Sequence, residues 1–206
     1  MLKRRGLIAL LTLALAACSQ QTAPVSPSQI DQQTISGTNI DTWRKQVIYL
    51  LIPDRFSNGN TANDNAGAAN CFDPASGTKF HGGDLQGVRN KISYIKSLGA
   101  TTVWTTPVYK QVGLVGSSCG YHGYWANFTN NAADTSVEPK LGSSSDLTGL
   151  ISDLHLPANN MKFMMDMVVN HAGYGATVAS TNPTWFHSNC TGNDITCPLS
   201  GLPDFA

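Results

Sequence analysis

Short apolar runs alternate along the chain with stretches of helical period, beginning at Val47. Val47 to Ile52 is an unbroken apolar run of strand length, stopped by Pro53. From Gln86 the period becomes helical: Val88, Ile92, Ile95 and Leu98 share one face, and Gly99 follows where a left-handed cap is wanted. The pattern predicts one helix over 86–98. Thr101 to Thr105, β-branched and aromatic, predicts a second strand ended by Pro107. Ser143 to Leu156 predicts a second helix, with Leu147, Leu150, Ile151 and Leu154 inward and Ser144 or Ser145 placed to cap its start. Lys162 to Val169, almost wholly apolar, predicts a third strand.

The order strand, helix, strand, helix, strand implies parallel pairing, because parallel strands need long crossovers and helices supply them. All three strands then point the same way. Asp54, Arg55, Pro107, Asn170 and His171 therefore gather at one rim, the C-terminal edge where parallel α/β sheets bind ligands. The long Gly-, Asn- and Asp-rich loops after the strands fit a functional rim.

Composition changes the picture mainly at the N-terminus. Lys3, Arg4 and Arg5 precede an apolar run, Leu7 to Leu15, and Leu15-Ala16-Ala17-Cys18 resembles a bacterial lipobox. Residues 1–18 are expected to be a lipoprotein signal with Cys18 as the lipidated residue, and 19–43, rich in Gln, Ser, Thr and Pro, a flexible tether. The apolar run is short of the ~20 residues a membrane span needs, so membrane contact is expected only through the lipid. The expected location is the cell envelope or outside the cell. Thirteen basic residues balance thirteen acidic ones, which argues against a nucleic-acid partner. Export makes disulfides natural: with Cys18 set aside, the short separation of Cys190 and Cys197 favours a local bridge, leaving Cys71 to pair with Cys119.

Five motifs carry the chemistry. They are Val47-Ile48-Tyr49 through Pro53-Asp54-Arg55-Phe56, then His81-Gly82-Gly83-Asp84-Leu85-Gln86-Gly87, then Leu98-Gly99-Ala100-Thr101-Thr102-Val103-Trp104. The two most specific are Tyr121-His122-Gly123-Tyr124-Trp125 and Asp166-Met167-Val168-Val169-Asn170-His171. In this order and spacing, over roughly residues 44–206, the chain resembles the α-amylase superfamily of glycoside hydrolases, cyclodextrin glucanotransferases included. The resemblance implies an α/β fold, the first three strands of a (β/α)8 TIM barrel over 44–171, with the start of an inserted loop subdomain over 172–206.

It also implies an α-glucan substrate such as starch or maltodextrin. A sugar has apolar faces and hydroxyl edges, so its site needs an aromatic platform beside hydrogen-bonding side chains. Tyr124 and Trp125 would be the platform and His122 and His171 the bonding groups. Asp166 would support the reaction by bonding an arginine of a fourth strand. Retaining glycosidases use two carboxylates about 5 Å apart, which the family places on its fourth and fifth strands. None is expected here, where Glu138 in a loop is the single glutamate, so these residues alone should be inactive. A cyclodextrin-forming transglycosylase and a non-catalytic surface glucan-binding lipoprotein are the alternatives.

Calcium is the implied cofactor, at two places. Asn58, Asn60, Asn63, Asp64, the carbonyl of Gly82 and Asp84 would form one site, with Asn58 standing where an aspartate is usual. Asn170, Asp204 and the carbonyl of Ile195 would form the second.

Overall fold

The computed structural model describes residues 42–128, 137–188, 192 and 197–206. The expected signal, Cys18 and the expected tether as far as residue 41 lie outside the described residues, whereas Thr42 and Trp43, expected to end the flexible tether, are in a helical turn. Strands β1 (Ile48–Leu51), β2 (Thr102–Thr105) and β3 (Lys162–Met165) form one parallel sheet in that spatial order. Register sets Leu50, Trp104 and Met164 side by side. Each strand is shorter than the apolar run that predicts it: β1 and β2 by a residue at one or both ends, and β3 by four residues at the rim, where the run continues to Val169 but the ladder stops at Met165.

Helix α1 (Pro53–Phe56) is a single turn that starts at the proline ending the first apolar run. Proline suits a first helical position, where no N–H partner exists to be lost. The predicted helix 86–98 is two helices, α2 (Leu85–Asn90) and α3 (Ile92–Ser97). Lys91 N–H donates to the Val88 carbonyl at 3.0 Å, and this tightened turn re-aims the chain. Ile92 and Ile95 stay buried, whereas Leu98, expected inward, is 53% exposed. Gly99, at φ +83°, closes α3 as expected.

Helix α4 (Ser144–His155) is capped by Ser143, one residue before the expected caps. Ser143 accepts from Asp146 N–H, and the Asp146 carboxylate accepts from Ser143 N–H in return, a capping box. Leu150 and Leu154 are fully buried. With Leu85, Val88, Ile92, Ile95 and Val103 they form the core between the sheet and its helices. Arg89 of α2 pairs with Asp153 of α4 at 2.5 Å on the surface of that layer. The opposite face of the sheet is open: Ile48 and Leu50 are 45% and 53% exposed. Helix α5 (Thr177–Thr181) follows β3, and Val178 on it joins Ala172, Ala176 and, from the connection after β2, Val112 in a second, smaller apolar cluster. No helix among the described residues is long and apolar enough to cross a membrane.

Cys71 and Cys119, both buried, are bonded to each other as expected. Cys197 is also in a disulfide, and Cys190 lies outside the described residues.

Candidate functional site

The rim is assembled from the loops after the three strands. Asp54, in the first turn after β1, is 2% exposed and accepts from the N–H groups of His81 and Gly82. Burial pushes its carboxyl above the usual range, while those bonds and the Arg55 guanidinium pull the other way. Arg55 pairs with Asp54, donates to the carbonyl of Lys79 at 2.8 Å, and lies 3.7 Å over the Tyr121 ring. It thus joins the first loop to the second.

Tyr121-His122-Gly123-Tyr124-Trp125 follows as a chain of ring contacts. His122 meets Tyr121 edge-on at 5.1 Å, stacks on Tyr124 at 5.7 Å and meets Trp125 edge-on at 5.1 Å. Its Nδ1 accepts from the Tyr124 N–H at 3.0 Å. An accepting Nδ1 puts the ring proton of the neutral form on Nε2. Burial, helped by the Arg55 charge, holds its pKa below the ordinary histidine value. Gly123 permits the turn: it has φ +91°, and a Cβ there would stand 2.2 Å from the Pro107 carbonyl.

The Tyr124 hydroxyl donates to Asp166 Oδ2 at 2.7 Å. Burial and this carboxylate push its pKa up to about 12. Asp166 is therefore held by the aromatic platform itself, a contact the sequence reading did not foresee. Trp125 packs edge-on against Tyr174 at 5.3 Å, and Gly173 N–H donates to the Ala126 carbonyl at 2.8 Å, so the segment after His171 lies against the platform. His171 is half-buried, with Nδ1 3.2 Å from the Ala172 carbonyl.

The Asn-rich loop and the segment at Gly82 and Asp84 hold the residues expected at the first cation site. Asn63, Asp64, Gly82 and Asp84 are buried, and Asn58 and Asn60 are exposed. Asp84 caps α2 through Gly87 N–H at 2.6 Å. It also accepts from Gly59 N–H, Asn60 N–H and Asn63 Nδ2 at 3.0, 2.9 and 3.2 Å. Asn58 Nδ2 donates to Asp64 Oδ1 at 2.9 Å. The close approach demands glycines: a Cβ on Gly82 would stand 2.8 Å from Asp64 Oδ1, and one on Gly87 would stand 1.7 Å from the Ser57 carbonyl. Asn63 Oδ1 is buried without a hydrogen-bond partner. Every expected ligand carries an oxygen, the donor calcium takes, although as placed Asn58 and Asn63 turn Nδ2 to the carboxylates and Asn60 Oδ1 accepts from Ala62 N–H at 3.1 Å; turning over the Asn63 amide would aim its unpartnered oxygen at Asp84 Oδ2, with a cation between them offsetting the repulsion. The residues fit calcium.

At the second place, Asp204 is 1% exposed, accepts from Asn170 Nδ2 at 2.9 Å and faces His187 Nε2 at 3.8 Å. The structure brings Asn170 and Asp204 together. Ile195 lies outside the described residues. Among the described residues no three His, Cys, Asp or Glu side chains cluster as a metal site would.

Asp54 and Arg55, placed at the rim by the sequence but given no role there, tie its loops together, and Gln111, not singled out at all, holds the backbone behind it. For Asp54 a signal existed, since a carboxylate directly after a buried strand needs partners. Gln111 has no such signal, because two of its three partners, Trp125 and Glu138, are 14 and 27 residues away in sequence.

A parallel α/β sheet of three strands with a built C-terminal rim is the N-terminal portion of a (β/α)8 barrel. The family described as alpha amylase, catalytic domain, matches residues 50–189, and the chain belongs to that family. A cyclomaltodextrin glucanotransferase of Klebsiella oxytoca is 33% identical over 192 residues, which cover 84% of this chain and 27% of the relative. A periplasmic α-amylase of Escherichia coli is 31% identical over 183 residues, covering 78% and 26%. Among solved structures, an Anoxybacillus α-amylase matches with TM-score 0.65 and 34% identity, over 80% of this chain and 34% of that one. An α-amylase of Geobacillus thermoleovorans complexed with acarbose matches with TM-score 0.61 and 34% identity, over the same shares. The chain thus spans about a quarter to a third of the length of these relatives.

Proposed function

We propose that the rim takes an α-1,4-linked glucan and that the whole protein hydrolyses it by the retaining route. The observation that carries this is the ring chain from His122 to Trp125, with Tyr124 bonded to Asp166. It offers a sugar an apolar platform with donors and acceptors at its edge. His122, with its proton on Nε2, offers a hydroxyl or ring oxygen a donor. Tyr124 keeps Asp166 in place and stays protonated throughout the working pH range. His171 joins from the third loop. The acarbose complex of the Geobacillus relative supports an α-glucan ligand.

Calcium, held by Asn58, Asn60, Asn63, Asp64, Gly82 and Asp84, and by Asn170, Asp204 and Ile195, would supply positive charge that ties the loops to the rim. The reacting carboxylates of the whole protein then belong to sequence outside residues 1–206. Glu138 is 4% exposed and occupied by the N–H groups of Gln111 and Lys140, which leaves it unsuited to act as acid or base. Starch hydrolysis by purified residues 1–206 would overturn that assignment. Transglycosylation to cyclodextrins is the second reading, favoured by the glucanotransferase match. The lipid anchor at Cys18 and an envelope location belong to the same proposal. Calorimetric titration with maltoheptaose tests the substrate class. Saturable binding is expected, with none of cellohexaose; equal binding of the β-linked sugar would refute it.

A further inference from the structure

Gln111 does not face the rim, yet three of its polar groups converge on what builds it. It is 5% exposed. Its side-chain Oε1 accepts from Trp125 N–H at 2.7 Å, and its Nε2 donates to the Tyr109 carbonyl at 2.8 Å. Its own N–H donates to Glu138 Oε2 at 2.9 Å. Around this amide the backbone pairs as a short antiparallel ladder: Val112 N–H to the Trp125 carbonyl, and Asn127 N–H to the Lys110 carbonyl, both at 2.9 Å. A Cβ on Gly120 would stand 2.8 Å from Gln111 Oε1, so the entry to the ring chain has no slack. Tyr109, held by the same amide, accepts through its hydroxyl from Val168 N–H at 3.1 Å, in the stretch between Asp166 and Asn170.

The residue type follows from this geometry. Trp125 N–H needs an acceptor and the Tyr109 carbonyl a donor, and among uncharged side chains of this reach the primary amide supplies both. An apolar residue there would leave two buried backbone groups unpaired. Glu138 fixes the backbone beneath it. Burial raises the Glu138 pKa, offset in part by the N–H groups of Gln111 and Lys140 and by the Lys140 and Lys110 charges.

We propose that Gln111, seated on Glu138, is a positioning residue for glucan recognition, setting the Trp125 backbone and through it the Tyr124–Trp125 platform. The substrate class in this proposal rests on the α-glucan reading. The test compares wild type, Gln111→Met and Gln111→Glu at pH 5. Methionine keeps the length and the buried volume and removes both bonds. Burial and the neighbouring Glu138 keep the introduced acid protonated, so it retains one acceptor and one donor.

Hydrogen exchange of the Trp125 amide is read without ligand, and maltoheptaose affinity is read separately. Gln111→Met should speed Trp125 exchange and weaken maltoheptaose each by about tenfold, with the α4 amides unchanged. Gln111→Glu should stay within about twofold of wild type in both. Unchanged Trp125 exchange in Gln111→Met overturns the proposal, as does faster exchange with unaltered affinity, or a Gln111→Glu variant no better than methionine. A wild type that binds no α-glucan refutes the substrate reading instead, and the exchange arm then decides the Gln111 contact by itself.

Discussion

Asp84→Ala is the substitution whose consequence can be worked furthest from the structure. The carboxylate takes four donors: Gly87 N–H at the start of α2, Asn63 Nδ2 inside the cluster, and the loop amides of Gly59 and Asn60. Loss of an N-cap costs about 1 kcal/mol. The Asn63 amide, buried with no other acceptor at hand, adds about 1 kcal/mol, and each loop amide, on an exposed residue, about 0.5 kcal/mol. Asp84→Ala should therefore destabilise the protein by roughly 3 kcal/mol without calcium, and Asp84→Asn, which retains one oxygen, by roughly half of that. Urea unfolding in chelator measures both, and hydrogen exchange at Gly59, Asn60 and Gly87 reports whether the loss is local. A value for Asp84→Ala within about 0.5 kcal/mol of wild type, the range of an ordinary surface change, would refute the reasoning.

Three further outcomes are expected. Ultraviolet titration should find one phenol, absent from Tyr124→Phe, that ionises at about 12. Since that folded value lies above the ordinary 10, the phenol's contribution to stability is complete below pH 10 and is lost as pH rises through about 12. Chelation should lower the melting temperature, and Asp204→Ala should reduce that dependence; an unchanged melting temperature and no calcium by elemental analysis would remove both cation assignments. Non-reducing peptide mapping should recover Cys190 joined to Cys197, and finding Cys190 as a free thiol would reject that pairing.

The sheet was legible because each strand is a bounded apolar run, and the helices because Val88, Ile92, Ile95, Leu150 and Leu154 keep a helical spacing. The break at Lys91 was not, since no proline or glycine marks it: a tightened turn splits a pattern whose period barely changes across it. Ser143 was passed over for its neighbours because any of three consecutive serines satisfies the capping preference, and only the reciprocal bond with Asp146 decides among them. At the site, the motifs located His122, Tyr124, Trp125 and Asp166. They did not reveal that Tyr124 holds Asp166, because that bond joins loops after different strands, 42 residues apart. Gln111 was invisible for a different reason: its partners Trp125 and Glu138 lie 14 and 27 residues further along the same long connection, and no pattern joins them. A lone glutamine in a loop becomes meaningful only when Trp125 and Glu138 fold against it.

The central claim, that the rim from His122 to Trp125 is an α-glucan site, is tested most directly by the crystal structure of the protein with bound maltoheptaose. A glucose ring is expected within about 4.5 Å of the Tyr124 or Trp125 ring, with hydroxyls on His122 Nε2 and toward Asp166. A glucan bound elsewhere, with this ring chain in contact only with solvent, would contradict it.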